Sequence, residues 1–117
     1  ACKGFEIGEG FRAAQMCGSQ YNDCQNADFS FQTNHDGGVQ AGISNGQPIV
    51  FRTAFKPIPT LQISQQTVDY EGNVVEYCGN ERNDVAVVPR VLPVVEAMAA
   101  CVILDAYLCK NAYFLLN

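Results

Sequence analysis

Residues 34–60 carry the groups whose types and spacing could bind an anionic ligand. Glycines stand at positions 37, 38, 42 and 46, and Lys56 follows a β-rich run. Glycine N–H groups lie open to a ligand and can form an anion-binding concavity. Pro57 and Pro59 restrict the backbone on either side of Ile58, so the loop loses little freedom on binding. The pattern indicates a backbone-lined site for a flat, phosphorylated ligand with Lys56 as a point charge, although a glycine-rich hairpin with a solvated Lys56 fits the same spacing.

Arg82 and Asp84 form a second group of charged residues, in a predicted loop after a short strand. Charges two residues apart in a loop commonly form a local ion pair that contributes about 0–1 kcal/mol. Taken by themselves, these two residue types favour that interpretation over a binding role.

Five motifs follow one another in an order that resembles the C-terminal part of the chorismate synthase family. They occupy residues 3–11 (KGFEIGEGF), 34–46, 56–60, 82–86 and 93–98 (PVVEAM). The resemblance extends from Ala1 to about Leu108 and rests on the shared order and spacing of the motifs.

The resemblance implies a lyase of the shikimate pathway, in aromatic amino acid biosynthesis. Such a lyase converts 5-enolpyruvylshikimate 3-phosphate to chorismate and phosphate, with reduced FMN as its cofactor. By the same resemblance, Arg82 neutralises phosphate or carboxylate charge as a bidentate donor. Asp84 is the implied catalytic residue, close to flavin N5, where it assists proton removal. The residues implied to bind the cofactor are Ala1, Ala41, Lys56, Pro57, Ile58, Pro59, Thr60 and Arg82.

Some positions depart from the family pattern. Ala41 stands where the family usually has glycine, so its methyl group crowds a ligand unless the backbone there has a negative φ and tolerates it. Asn83, Val85 and Ala86 replace the usual His, Pro and Cys, and Asn83 cannot carry a proton. The two catalytic histidines of the family belong to its N-terminal part, so His35 is interpreted as a loop residue.

Composition excludes several classes of protein. A net charge of −5 with seven scattered cations makes nucleic acid an improbable partner. No uninterrupted apolar run of about eighteen residues occurs, which predicts no membrane partner. The six cysteines form no C-x-x-C pair, so no metal site is predicted and buried, reduced thiols are expected rather than a disulfide-bonded secreted domain. Together with the resemblance, this predicts a cytoplasmic protein.

The predicted fold class is α+β: an antiparallel β-meander packed against a long C-terminal helix, as part of a helix-between-sheets sandwich. The whole chain, residues 1–117, is predicted to be a single domain that resembles the C-terminal third of the family. Strands are predicted over 47–55, 61–68 and 74–78, with a turn at 69–73. A short helix is expected over 11–17, with Gly18 as its stop. The long helix is predicted over 93–110, with Pro93 and Glu96 in its first turn, and the apolar tail 111–117 is expected to dock on another subunit.

The chain opens within a motif, and we therefore expect a fragment that lacks the N-terminal portion of the same chain. The substrate and flavin carry several negative charges, which seven cations serve poorly, so the isolated chain is expected to be inactive and to bind FMN weakly or not at all. The resemblance further implies a homotetramer and an association with NADP. The alternative function is a non-catalytic remnant or an oligomerisation or binding module, which would pair through exposed sheet edges and apolar patches.

Overall fold

A strand near the start of the chain pairs with the strand that follows the glycine-rich loop. In the computed structural model, which describes residues 1–79, 82 and 84–115, β1 (Cys2–Ile7) pairs antiparallel with β4 (Phe51–Phe55). Phe5 and Phe51 stack on one face, with ring centroids 5.6 Å apart. On the other face Glu6 is opposite Arg52, and Arg52 Nε lies 2.9 Å from Glu6 Oε1. Alternating apolar and charged residues therefore select this register.

The chain between these two strands is mostly irregular. A 3-10 helix (Gly10–Gln15) and α1 (Gly18–Tyr21) follow β1, and the small hairpin of β2 (Val39–Gln40) and β3 (Ile43–Ser44) precedes β4. A turn at residues 8 and 9 leads from β1 into the 3-10 helix. Gly18 begins a helix instead of ending one.

The second part of the chain contains a hairpin and a long helix. β5 (Gln65–Val68) and β6 (Val74–Tyr77) pair antiparallel around the turn that was predicted at 69–73. The Asp69 side chain closes this turn by accepting hydrogen bonds from the N–H groups of Glu71 and Asn73, at 2.9 and 2.8 Å. Residues 61–64 lie outside the strand that was predicted to include them.

The pairing of β4 differs from the predicted meander. In the part of the chain that the structure describes, each sheet has two strands, in the orders β1-β4, β2-β3 and β5-β6. β4 thus pairs with a strand 44 or more residues earlier, which sequence periodicity does not reveal. The helix-between-sheets sandwich stays a prediction.

The C-terminal helix α2 (Val88–Leu115) is longer than predicted. Pro93 lies inside it rather than in its first turn, so the carbonyl of Pro89 receives no bond from that position. Because α2 begins at Val88, Glu96 lies beyond its first turn, which contains no acidic residue. The prediction that Glu96 is a first-turn carboxylate is therefore wrong. Residues 116 and 117 of the predicted apolar tail lie outside the described residues.

The apolar side chains of α2 itself are exposed on several sides of the helix. Val102, Ile103 and Leu104, which are successive and therefore point in three directions, are 65%, 53% and 56% exposed. By length and composition alone, Val88–Phe114 could cross a membrane, although a single helix of this kind is weak evidence. The absence of an uninterrupted apolar run therefore does not by itself exclude a membrane-spanning segment.

The chain divides into two compact units, Ala1–Lys56 and Pro57–Asn117. Among the described residues no hydrophobic side chain is fully buried. All six cysteines are unpaired and exposed, so their predicted burial is wrong for this chain. The assignment of the chain to a single domain stays a prediction.

Candidate functional site

The glycine-rich loop is anchored by a buried carboxylate, Asp23, which the sequence analysis did not single out. Asp23 Oδ1 accepts hydrogen bonds from the Thr33 hydroxyl at 2.7 Å, the His35 N–H at 2.8 Å and His35 Nδ1 at 2.9 Å. Asp23 Oδ2 accepts the N–H of Asp36 at 3.0 Å. His35 lies in a turn, as predicted, and is also part of this network. No local pattern marks Asp23, because its partners lie 10–13 residues away.

The network affects how Asp23 titrates. Burial raises the pKa of Asp23, but the hydrogen bonds from His35, Thr33 and Asp36 together outweigh it, so this pKa lies below its ordinary value. A carboxylate whose pKa falls on folding stabilises the native state above its unfolded-state pKa. That stabilisation is lost as pH falls through the folded-state pKa. Asp23 therefore stabilises the loop throughout the neutral range.

The first two glycines of the loop pack against backbone rather than lining an open concavity. Gly37 N–H donates to Asn34 O at 3.2 Å, and Gly38 N–H donates to Asn34 Oδ1 at 2.7 Å. Val50 N–H donates to Gly37 O, and Gly8 N–H to Val50 O, at 3.0 and 2.9 Å. The predicted anion cradle is thus wrong at Gly37 and Gly38, because their N–H groups already have partners.

The third glycine forms a turn with Ala41 between β2 and β3. Ala41 has a φ of 49° and Gly42 a φ of 80°, the left-handed pair that two-residue hairpins of type I′ require. This decides the alternative left open by the sequence: the backbone at Ala41 does not have a negative φ. A Cβ built at Gly42 or Gly46 meets nothing within 4 Å, so this hairpin is open to an approaching molecule.

Ala41→Gly is expected to stabilise the chain by about 0.5–1 kcal/mol. Left-handed backbone costs a residue with a Cβ about 1–2 kcal/mol, of which the extra flexibility of unfolded glycine cancels a part. Urea unfolding followed by circular dichroism measures the change. Ala54→Gly, in the extended strand β4, is the control and should destabilise by about 0.5–1 kcal/mol. Equal destabilisation by both substitutions would contradict strain at Ala41.

A second network couples Tyr21 to the same loop. The Tyr21 hydroxyl donates to Asp36 Oδ1 at 2.7 Å, and Gln40 Nε2 donates to Asp36 Oδ2 at 2.7 Å. The hydrogen bond to Asp36, with burial and the Asp36 charge, raises the pKa of Tyr21 to about 12. The neutral phenol therefore stabilises the fold below the pKa of an unfolded tyrosine, and this contribution is lost as pH rises through about 12.

Alkaline titration followed by phenolate absorbance should show a late ionisation step near pH 12, from Tyr21. Tyr21→Phe should remove this late step, whereas Tyr107→Phe, on the exposed surface of α2, should leave it in place. Persistence of the late step in Tyr21→Phe would contradict the hydrogen bond to Asp36.

The first unit contains three of the predicted cofactor-binding residues. Lys56 N–H donates to Ala1 O at 3.0 Å, so the end of β4 lies beside the start of β1. The Lys56 side chain is exposed, and Ala41 lies at the hairpin turn. The structure thus brings Ala1 and Lys56 together and places Ala41 at a separate turn of the same unit.

A groove of about 440 Å³ in this unit contains none of the predicted site residues. Its arginines are already paired: Arg12 with Glu9 at 3.1 Å and Arg52 with Glu6 at 2.9 Å. The charges of the groove are therefore neutralised within the chain. Its lining residues are Glu6, Gly8, Glu9, Arg12, Asn34, Val50 and Arg52.

The second unit contains the remaining predicted residues. Pro57, Ile58, Pro59 and Thr60 form an irregular segment. A Cβ built on Gly79 would lie 3.3 Å from the Thr60 methyl group and 3.2 Å from Leu61 O, so this segment contacts the strand end that leads to Arg82.

Arg82 and Asp84 are both exposed, and Asn83 between them lies outside the described residues. The Asp84 carboxylate forms an ion pair with Arg90 in the first turn of α2. The local ion pair expected of Asp84 therefore exists, but its cation is Arg90. This contact holds the carboxylate at the start of the helix. The sequence analysis missed Arg90 as the partner, which lies six residues from Asp84.

Comparison with known proteins identifies the family of this chain. A family model described as chorismate synthase matches residues 1–108, which contain all five motifs. The chain belongs to the chorismate synthase family. The resemblance inferred from the order of the motifs is thereby confirmed.

Individual chorismate synthases agree with the family model. The chain is 54% identical over 108 residues to the chorismate synthase of Christiangramia forsetii. The aligned region covers 92% of this chain and 30% of that protein. The chain is 49% identical over 116 residues to that of Cytophaga hutchinsonii, covering 96% of this chain and 32% of the relative. For Bacteroides thetaiotaomicron the identity is 50% over 111 residues, covering 92% and 31%. The chain thus spans about a third of the length of the curated relatives that it matches.

Proposed function

We propose that this chain is part of a working chorismate synthase, the lyase that converts 5-enolpyruvylshikimate 3-phosphate to chorismate and phosphate with reduced FMN as cofactor. The observation that carries the proposal is the family match over residues 1–108, which contains Lys56, Arg82 and Asp84 in their motifs. The chain spans about a third of the relatives' length, and the proposal assigns the remaining catalytic groups to further polypeptide.

The residues present suit a phosphorylated flavin. Lys56 and Arg82 expose an ammonium and a guanidinium, which bind phosphate oxygens as a point charge and as a two-pronged donor. The open turn at Gly42 leaves room for a flat ring system to approach the backbone. Ala1, Ala41 and the segment from Lys56 to Thr60 would hold the flavin, with Arg82. When bound, reduced FMN supplies electron density that assists the loss of phosphate.

The chain's own residues would act on charge and protons. The elimination breaks the C–O bond to phosphate, which departs with the bonding electron pair, and removes the proton at C6 to form the new double bond. Arg82 would neutralise the negative charge of the departing phosphate or of a substrate carboxylate. Asp84, held by Arg90, would accept or relay a proton close to flavin N5.

Further polypeptide is part of the proposal. Seven cations in a chain of net charge −5 leave much of the substrate and cofactor charge to be met by the remaining portion of the enzyme. Exposed apolar residues of a helix are ordinarily covered by protein or lipid. For α2 the proposal is a cover of protein, in a cytoplasmic homotetramer. An association with NADP belongs to the same proposal as the source of electrons for the flavin.

A chimera tests the proposal. Residues 1–108 would replace the corresponding segment of the Christiangramia forsetii chorismate synthase, to which they are 54% identical. We expect turnover with reduced FMN within about tenfold of the parent, a change of about 1.4 kcal/mol in the barrier. A folded chimera without turnover would refute the proposal, and restored turnover on Ala41→Gly or Asn83→His would identify the responsible departure. The 117-residue chain alone should not turn over the substrate, and it should not bind FMN with submicromolar affinity.

The second candidate is a non-catalytic oligomerisation or binding module. It is favoured by the exposure of apolar residues around α2 and on the β5–β6 hairpin, where Val68 and Val74 are 62% and 71% exposed. Size-exclusion chromatography of the chain at low concentration tests it. A clean monomer would count against this candidate.

A further inference from the structure

Asp23 joins two distant stretches of the first unit through a fully buried carboxylate. Its side chain has 0% exposure, and four donors from Thr33, His35 and Asp36 surround it. Three of these donors reach one oxygen and the fourth reaches the other. An ionised carboxylate, which only accepts hydrogen bonds, matches this set, whereas an amide of the same shape would turn an NH₂ group towards some of these donors.

The donors of Asp23 also hold both ends of the β2–β3 hairpin. Thr33, whose hydroxyl donates to Asp23, accepts Gln47 Nε2 at its carbonyl at 2.8 Å. Asn34, the next residue, accepts the Gly38 N–H and donates to Pro48 O, at 2.7 and 2.9 Å. The chain entering and leaving the hairpin is thus attached to the segment that Asp23 holds, and the turn at Ala41 lies between these attachments.

The same segment is attached to β1 and to the approach to β4. Glu9 N–H donates to His35 O at 2.8 Å, and Val50 N–H donates to Gly37 O at 3.0 Å. Ala1 precedes β1 and Lys56 follows β4, and these two residues are themselves hydrogen-bonded beside the paired strands. A displacement of the 33–38 segment would therefore be transmitted to all three predicted cofactor-binding residues of this unit.

We infer that Asp23 is a positioning residue for cofactor binding, which acts by holding the 33–38 segment and, through it, the hairpin turn and the strand that precedes Lys56. The inference rests on the proposed function, since it assigns Asp23 a role at that same site. Asp23 does not contact the ligand in this role; its carboxylate fixes the backbone that does. A misplacement of about 1 Å in such a frame can cost about 10²-fold in function.

The test compares Asp23→Asn with Asp28→Asn in the chimera. Asp28 is the matched control, because it also accepts hydrogen bonds, from the Ser30 hydroxyl and N–H, but is exposed and joins only neighbouring residues. We expect Asp23→Asn to weaken reduced-FMN binding by about tenfold or more, with kcat at saturating FMN within about threefold. Asp28→Asn should change neither. Hydrogen exchange at the amides of His35 and Asp36, measured in the 117-residue chain, should accelerate only in Asp23→Asn.

A milder variant keeps the inference testable if Asp23→Asn does not fold. Thr33→Val removes one of the four donors, keeps the shape of the side chain and should weaken FMN binding by about threefold to fivefold. Unchanged FMN affinity in both variants, or a loss of kcat with unchanged affinity, would overturn the positioning role. Failure of the unsubstituted chimera to bind FMN would instead overturn the proposed function itself, and the two failures are therefore distinguishable.

Discussion

Arg82→Ala in the chimera is expected to lower kcat/KM by about 10²–10³-fold. A guanidinium aimed at charge that develops on a departing phosphate acts in the transition state, and removal of one such donor costs about 2.7–4 kcal/mol. Arg82→Lys should fall in between, because it keeps the charge but loses the two-pronged geometry. Steady-state kinetics of phosphate release at saturating reduced FMN measures both variants.

Arg12→Ala is the matched control for this experiment. Arg12 is an arginine whose side chain is 68% exposed, and among the described residues it pairs with Glu9, three residues away. Exposed pairs of this kind contribute about 0–1 kcal/mol, so kcat/KM should stay within about twofold of the chimera. If Arg82→Ala proved as mild as Arg12→Ala, the assignment of Arg82 to substrate or flavin charge would be wrong.

Gly37→Ala is expected to destabilise the first unit by about 2–4 kcal/mol. Gly37 has a φ of 65°, which costs a residue with a Cβ about 1–2 kcal/mol. Its new Cβ would also overlap the backbone N of Gly8 and lie 2.7 Å from Val50 O, and neither backbone atom can turn aside. Relief of the overlap would separate Gly37 from Val50, so overpacking adds about 1–3 kcal/mol. Urea unfolding and amide exchange at Val50 measure the loss.

Gly42→Ala separates the two causes. Its φ of 80° carries the same kind of backbone strain, but a Cβ there meets nothing within 4 Å. We expect a loss of only about 0.5–1 kcal/mol, because the lower flexibility of unfolded alanine offsets a part of the strain. A similar loss in both variants would mean that the close approach of Gly37 to Gly8 and Val50 does not contribute.

Local features of the fold were predictable where neighbouring residues decide them. The turn at 69–73 was predicted because Asp, Gly and Asn favour turns, and the structure confirms it through the hydrogen bonds that Asp69 accepts. The long helix was predicted from its apolar spacing, but its start was placed at Pro93 because proline is favoured in a first turn. The helix begins at Val88, and Pro89 occupies that first turn instead.

Pairings between distant residues were not predictable in the same way. The sequence analysis paired β4 with the strands that follow it, whereas β4 pairs with β1. Short-range periodicity predicts that a strand exists but carries no information about its partner. Asp23 was passed over for a related reason, since one Asp among several polar residues is distinguished only by burial and by donors that come from another part of the chain.

The sequence by itself determined the family, because the order of the five motifs can be read without a structure. It also determined the candidate residues Lys56, Arg82 and Asp84, which lie in those motifs. Only the tertiary structure decided that the N–H groups of Gly37 and Gly38 donate to Asn34 rather than to an anion. It also decided that Ala41 has a left-handed backbone and that Asp84 pairs with Arg90. The physical reason is that motif order is a property of the covalent chain. The partner of a hydrogen bond or a charge is selected by which atoms folding brings within about 3 Å of one another.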